Sequence, residues 1–120
     1  MLIIDDQPRF REIAREVLDR RGYTVVGEAG CSTTAIDAAL RLQPDAILLD
    51  IRLGDESGFD VASSLGRACP RAAILLVSSH DYGEYDERLR VSGARGFLLK
   101  SRLASVDLAD YWPNPDDTGR

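Results

Sequence analysis

The longest apolar run of the sequence is Ala72-Ala73-Ile74-Leu75-Leu76-Val77, and Ser78 follows it directly. A continuous apolar run that ends at a polar residue is typical of a strand that is covered on both faces, as in the middle of a parallel sheet. The run is too short to cross a bilayer, which takes about 20 residues. We therefore predict a buried strand over residues 72–77, and its neighbours along the chain decide what kind of sheet contains it.

Four further apolar segments predict strands. They are Leu2–Ile4, Tyr23–Gly27, Ala46–Leu49 and Gly96–Leu99. Each is short and is bounded by polar residues or glycine, which is the usual pattern of a buried strand in an alternating fold.

The segments between these strands carry the spacing of amphipathic helices. The first helix is predicted between Pro8 and Gly22, because its apolar residues recur at helical intervals. The second is predicted to start at a Ser32 cap and to end before Pro44. The third is closed by Cys69 and Pro70, the fourth spans Tyr82–Ser92, and the last spans Leu103–Trp112. The apolar faces of the first three are predicted to comprise Phe10, Ile13, Ala14, Val17 and Leu18, then Ile36, Ala39 and Leu40, then Phe59, Ala62 and Leu65.

Strands that alternate with helices indicate the α/β class. Five strands and five helices predict a doubly wound parallel sheet with helices on both faces. In such sheets the functional site lies beyond the carboxyl ends of the strands. The residues that follow each strand are therefore the candidates for function.

Length and composition limit the class of protein. The chain has 120 residues, which suits one domain over residues 1–112, followed by a polar tail over 113–120 that we expect to be disordered. The net charge of −5 argues against direct nucleic-acid binding. No targeting or membrane segment is evident, so we expect a cytoplasmic protein with two free thiols, Cys31 and Cys69.

Three carboxylates are predicted to converge at one edge of the sheet. Asp5 and Asp6 follow the first strand, and Asp50 follows the third. Carboxylates held close together repel one another unless a cation or a proton compensates. The set contains oxygen ligands and neither His nor Cys, which suits Mg2+. The sequence therefore predicts a magnesium site that is open to phosphate.

The same edge carries the remaining groups that phosphoryl transfer requires. Asp50 can attack phosphorus and form an acyl phosphate. The backbone carbonyl of Arg52 can supply another metal ligand, and Ser78 and Lys100 can orient the phosphoryl oxygens. Lys100 is also the single lysine beside fourteen arginines, which suits a position that needs a compact ammonium.

The arrangement resembles the receiver domain of two-component response regulators over about residues 1–112. The resemblance rests on motifs at the predicted strand ends and on their spacing. The motifs are Ile3-Ile4-Asp5-Asp6, Leu48-Leu49-Asp50, Gly58, Leu75-Leu76-Val77-Ser78-Ser79 and Gly93-Ala94-Arg95-Gly96-Phe97-Leu98-Leu99-Lys100. It implies a CheY-like, flavodoxin-like sheet of strand order 2-1-3-4-5. The motif Asp5-Asp6-Gln7-Pro8 and the pair Lys100-Ser101 are similar to those of receivers that usually carry a helix-turn-helix output domain, which we do not expect in this sequence.

The resemblance also implies a mechanism and partners. A histidine kinase passes phosphate to Asp50, Ser78 moves toward it, and Phe97 swings inward; simple core packing is the alternative interpretation of Phe97. These movements reshape the face of the fourth helix, fifth strand and fifth helix, where a downstream protein or a second protomer binds. Arg52 and His80 border the phosphoryl group and tune its lifetime, unless they are simply solvated loop residues. The domain is then no enzyme beyond taking phosphate from a donor and slowly losing it.

Some features depart from the family, among them the first strand and the loop after Asp50. The first strand is short, and Gly54 stands where the family usually has proline, which predicts a less fixed loop after Asp50. The initial Met and the polar tail favour a stand-alone regulator over a fragment of a longer protein.

Three alternatives remain open. A degenerate receiver would act as a docking module without phosphate. A phosphatase with an aspartyl nucleophile would turn over a phosphate ester, although such enzymes use a D-x-D pair after the first strand. A flavodoxin-like cofactor binder would need a phosphate-cradling loop where Asp5 and Asp6 stand.

Overall fold

A parallel sheet with helices on both faces forms the frame of the molecule. The structure is a computed structural model that describes residues 1–80 and 87–112. Its elements in chain order are β1 (Leu2–Ile4), α1 (Pro8–Arg20), β2 (Gly27–Ala29), α2 (Ser32–Leu42), β3 (Ala46–Asp50), β4 (Arg52–Leu53), β5 (Glu56–Ser57), α3 (Gly58–Ala68), β6 (Ala73–Ser78), α4 (Glu87–Ser92) and β7 (Gly96–Leu99), followed by 3-10 helices at Lys100–Arg102 and Leu108–Asp110.

The topology of the sheet is the predicted one. Within the described residues the strands lie in the order β2-β1-β3-β6-β7, and every neighbouring pair is parallel. The fourth and fifth strands of the prediction are thus β6 and β7. The central strands β3 and β6 are buried along their whole length, because helices cover both of their faces.

Two core clusters lie on opposite faces of the sheet. Successive strand residues point to opposite faces. In the first cluster, Leu49 and Leu76 pack with α2 and α3. In the second cluster, Leu48 and Leu75 pack with α1 and with residues 103–112. The predicted α/β class with helices on both faces is therefore confirmed. No helix in the described residues has the length and apolar character that a membrane span requires.

The second strand was predicted too early in the chain. It lies at Gly27–Ala29, so that only Gly27 belongs to the predicted range. The apolar residues that suggested a strand contribute to packing instead. Tyr23 meets Trp112 edge to face with 5.8 Å between the ring centroids, and Val25 packs against the second cluster. Val26 is 48% exposed.

The predicted apolar face of α3 is buried as expected, whereas the predicted faces of α1 and α2 are buried only in part. Cys31, and not Ser32, is the N-cap of α2, and Ser32 is the first helical residue. Leu40 is 55% exposed, whereas three alanines of α2 are buried: Ala35, Ala38 and Ala39. In α1, Ile13 is likewise exposed and Ala14 is buried. Small side chains allow a helix backbone to approach the sheet closely, which a pattern based on large apolar residues does not reveal.

The predicted last helix, Leu103–Trp112, is wrong. The segment contains the 3-10 turn Leu108–Asp110 and irregular chain, yet Leu103, Leu108 and Trp112 are buried in the second cluster. Asp107 accepts a hydrogen bond from Ala109 N at 3.1 Å, a local bond that favours a turn over a continuous helix.

Other predictions fall partly outside the described residues. Of the predicted helix over 82–92, the structure describes α4 from Glu87 onward, and the predicted tail at 113–120 lies outside the described range. Both cysteines are free thiols, as predicted, with Cys31 exposed and Cys69 buried.

Candidate functional site

The carboxyl ends of four sheet strands bring the predicted residues to one edge. Asp5 directly follows β1, Asp50 and Ser78 are the last residues of β3 and β6, and Lys100 directly follows β7. Because these strands are parallel neighbours, their carboxyl ends lie side by side. The side chains line or border an open cavity of about 150 Å3, whose walls consist of Asp6, Gln7, Asp50, Arg52, Ser78, Ser79, His80 and Lys100.

Three carboxylates meet at this edge. One oxygen atom from each of Asp5, Asp6 and Asp50 lies within 4.8 Å of the others. Asp5 and Asp50 are buried, whereas Asp6 is exposed. Asp5 Oδ1 accepts a hydrogen bond from Gln7 N at 2.8 Å. Asp5 Oδ2 is buried and forms an ion pair with Lys100 Nζ at 2.7 Å, but the geometry of this contact is not that of a hydrogen bond.

This donor set fits a hard cation. It offers carboxylate oxygens only, and among the described residues the buried Asp5 Oδ2 has no partner apart from the Lys100 ammonium. Mg2+ prefers such oxygen ligands and keeps part of its shell for water or phosphate, which the open cavity provides. The side chains that could hold Mg2+ are therefore those of Asp5, Asp6 and Asp50.

The surroundings of Asp50 disfavour its charged form. Burial, and next the negative charge of Asp5, raise the pKa of Asp50 to about 6. The N–H of Arg52, which donates to Asp50 Oδ1 at 3.1 Å, and the ammonium of Lys100 act in the opposite direction. A buried carboxylate with a raised pKa in a cleft is a common feature of functional sites.

Several groups surround the ammonium of Lys100. Its Nζ lies 2.7 Å from Asp5 Oδ2, 3.3 Å from Asp50 Oδ2 and 3.3 Å from Gln7 Oε1. It also lies 4.3 Å from the centroid of the Phe10 ring. The side chain is only 11% exposed, so its charge is placed next to Asp50 rather than in solvent.

The β6 end contributes a hydroxyl and a histidine. Ser78 is buried, and its Oγ accepts a hydrogen bond from His80 N at 3.1 Å. Ser78, His80 and Arg52 all line the cavity. Phe97 lies in β7, is partly buried and packs against the first core cluster.

The loop after Asp50 is a small hairpin that the sequence did not predict. β4 and β5 pair antiparallel, and Gly54 at their turn has φ +63°, a left-handed conformation that suits glycine. Its N–H donates to Asp6 Oδ2 at 3.1 Å. Proline has φ near −65° and no N–H, so it cannot replace Gly54 in this arrangement.

Gly58 allows the hairpin to return close to β3. It is the first residue of α3, and its N–H donates to Ile51 O at 2.5 Å. A Cβ atom at this position would overlap the carbonyl oxygen of Asp50 and the Cα of Ile51. The fold around Asp50 therefore requires glycine here.

Three contact residues were not among the predicted site residues. Gln7 and Phe10 touch the Lys100 ammonium, and Arg11 donates to the backbone carbonyl of Asp5 at 2.6 Å. Phe10 was predicted only to lie on the apolar face of α1, and no role was predicted for Gln7. Their contacts join the start of α1 to the residue after β7, which is far away in the sequence, so no local signal reveals them.

The family of the chain follows from its sequence as a whole. The sequence model described as "Response regulator receiver domain" matches residues 1–109. This chain belongs to the response regulator receiver domain family. The receiver domains of this family are signalling domains of two-component systems.

Individual relatives agree with this membership. The nitrate/nitrite response regulator protein NarP of Escherichia coli is 39% identical over 101 residues, which are 83% of this chain and 47% of that protein. YxjL of Bacillus subtilis, an uncharacterized transcriptional regulatory protein, is 36% identical over 84% of this chain and 47% of its own length. The receiver domain thus spans about half the length of these relatives.

A solved structure also resembles the receiver domain closely. A response regulator of Burkholderia pseudomallei, described with a phosphorylated aspartic acid, a calcium ion and citrate, superposes with a TM-score of 0.80 at 28% identity. The superposition covers 97% of this chain and 68% of that one.

Proposed function

We propose that this receiver domain accepts a phosphoryl group on Asp50 from a histidine kinase. The observation that carries the proposal is the placement of Asp50. Its carboxylate lies at an open cavity, next to the carboxylates of Asp5 and Asp6 and to the Lys100 ammonium. The phosphorylated aspartic acid of the Burkholderia pseudomallei protein supports this chemistry in a related chain.

The reaction uses few groups of the protein. An oxygen of the ionised Asp50 carboxylate forms a bond to phosphorus, and the bond from phosphorus to the donor nitrogen breaks. Asp5, Asp6, Asp50 and the Arg52 carbonyl would hold Mg2+, which would supply positive charge to the phosphoryl oxygens. Lys100 offsets charge on the same oxygens, and the Ser78 hydroxyl donates a hydrogen bond to one of them. No general base is needed, since the nucleophile is already a carboxylate.

We propose that the output of the reaction is a change of surface. Phosphate on Asp50 would draw in Ser78, and Phe97 of the neighbouring strand would repack with it. The affected face comprises α4, β7 and residues 100–112, where a downstream protein or a second protomer would bind. Such a regulator would work in the cytoplasm, where histidine kinases expose their phosphodonor domains.

We also propose that Arg52 and His80 set the lifetime of the phosphorylated form. Both side chains line the cavity two positions beyond Asp50 and Ser78. Substituting either residue by alanine should change the access of water to the acyl phosphate, and therefore its half-life. Decay measured by intact mass after removal of donor tests this, and equal half-lives in wild type and both variants would contradict it.

Intact-protein mass after incubation with Mg2+ and acetyl phosphate tests the proposed acceptor. We expect one added phosphoryl group in wild type and in Asp55→Asn, a matched change at an exposed carboxylate of the hairpin. We expect none in Asp50→Asn or when Mg2+ is removed. Folded wild-type protein without an adduct would favour the docking module, and steady hydrolysis of a phosphate ester would favour a phosphatase.

A further inference from the structure

The contact between Phe10 and Lys100 joins distant parts of the chain at the site. Phe10 is the third residue of α1, whereas Lys100 directly follows β7. The Lys100 Nζ lies over the Phe10 ring, 4.3 Å from its centroid. Phe10 is partly buried and packs against the second core cluster, so the position of its ring is fixed by the core.

The other partners of Lys100 are of two kinds. Asp5 and Asp50 are carboxylates that also belong to the group able to hold a metal ion. A cation bound there would take up the negative charge that now attracts the ammonium. The Phe10 ring and the Gln7 carbonyl oxygen are neutral and lie outside the group of metal ligands, so their attraction for the ammonium does not depend on the carboxylates.

An aromatic ring face is well suited to holding the Lys100 ammonium in place. Its quadrupole attracts an ammonium without neutralising it and without competing for its hydrogens as strongly as a carboxylate does. Holding the long lysine side chain in one conformation costs side-chain entropy, and the contact with the Phe10 ring partly offsets this cost. The ammonium hydrogens then stay available for phosphoryl oxygens.

We propose that Phe10 is a positioning residue for Lys100, whose ring keeps the ammonium beside Asp50 while the carboxylates hold the metal. The proposal rests on the function proposed above and extends it to a residue of α1. The competing interpretation is that Phe10 only fills the core, as its place on the apolar face of α1 suggests.

Nuclear magnetic resonance can observe Lys100 alone, since it is the single lysine of the chain. In protein labelled with 13C at lysine Cε, one lysine signal is expected. We expect ring currents of Phe10 to shift this signal upfield in wild type, before and after Mg2+ is added. In Phe10→Leu the upfield shift should vanish, and in Phe10→Tyr it should persist. Equal signals in wild type and Phe10→Leu, or loss of the shift on adding Mg2+, would overturn the proposal.

The rate of phosphorylation by acetyl phosphate tests the consequence for the site. Phe10→Leu keeps an apolar side chain but no ring, and should slow the reaction roughly 2- to 30-fold, the range that a cation–π contact allows. Phe10→Tyr should restore the rate. Val17→Ala removes packing from the same helix and cluster and should leave the rate of the folded protein unchanged.

A double-mutant cycle separates positioning from packing. In a Lys100→Met background, Phe10→Leu should cause no additional slowing. Equal slowing in both backgrounds, or slowing by Val17→Ala as large as that by Phe10→Leu, would overturn the proposal. If wild type takes no phosphate at all, the proposed function fails, and the lysine signal with and without Mg2+ then decides the role of Phe10 by itself.

Discussion

Replacing Asp50 by asparagine should stabilise the metal-free protein at neutral pH. The folded protein raises the pKa of Asp50 from its ordinary value of 3.8 to about 6, so it binds the proton more tightly than the unfolded chain does. The folded state therefore loses stability as the pH rises through the range between these two values, and the loss is complete above the upper one. Asparagine imitates the protonated form and avoids the loss.

The size of the effect follows from the pKa. The displacement from 3.8 to about 6 corresponds to about 3 kcal/mol. Solvent in the open cavity screens part of this energy, so we expect Asp50→Asn to gain roughly 1–3 kcal/mol at pH 7.5 and less than about 1 kcal/mol at pH 4.

Urea unfolding with EDTA at pH 4, 6 and 7.5 measures this difference. The control is Asp55→Asn, an exposed carboxylate of the neighbouring hairpin, which should show no such pH dependence. Adding Mg2+ at pH 7.5 should stabilise wild type more than Asp50→Asn, because the variant lacks a ligand. A gain from Asp50→Asn that is the same at all three pH values, or a loss at pH 7.5, would refute the reasoning.

Three further substitutions test the frame of the site. Gly58→Ala should lower the free energy of unfolding by about 1–3 kcal/mol or more, since the new methyl overlaps the Asp50 backbone; unchanged urea unfolding would contradict this. Gly54→Pro removes the N–H that binds Asp6 and should weaken Mg2+ binding in calorimetry by roughly 2- to 12-fold, more than Gly54→Ala does; equal affinity in Gly54→Pro and wild type would contradict it. Arg21→Ala loses hydrogen bonds to the carbonyls of Ala104 and Val106 and should lower the free energy of unfolding in urea by about 1–3 kcal/mol. The exposed Arg20→Ala should lower it little, and equal losses in both variants would show that these bonds do not stabilise the fold.

The central strands could be predicted because their burial leaves a strong signal. β3 and β6 lie between helices, so every position must be apolar until the strand reaches the site. The edge strand β2 lacks this signal, since only one of its residues, Ala29, is buried. The apolar pattern therefore led to a strand predicted at Val25 and Val26, which lie just before β2.

The final segment illustrates a limit of apolar spacing. Leu103, Leu108 and Trp112 are buried, as they would be on one face of a helix. The segment that contains them is instead fixed by hydrogen bonds with other parts of the chain. Arg21 at the end of α1 donates to carbonyls of this segment, and Trp112 Nε1 donates to Ala73 O at 3.0 Å. Long-range hydrogen bonds of this kind replace helical ones and cannot be predicted from local sequence.

The site was predictable where topology alone determines it. Asp5, Asp50, Ser78 and Lys100 stand at the ends of parallel strands, so the order of the elements was sufficient to bring them together. The contact of Phe10 with Lys100 and the bond from Gly54 to Asp6 join segments that are far apart in the sequence, so the order of the elements did not predict them. The sequence suggested that Gly54 loosens its loop, but it did not predict the left-handed turn that binds Asp6.

The most direct test of the central claim is to locate the phosphoryl group in the chain. Borohydride reduces an acyl phosphate to an alcohol, so a phosphorylated aspartate becomes homoserine at its own position. After treatment with acetyl phosphate, Mg2+ and borohydride, peptide mass spectrometry should find homoserine at position 50 of wild type and nowhere in Asp50→Asn. Homoserine at another aspartate, or phosphate retained on Ser78 or His80, would contradict the account.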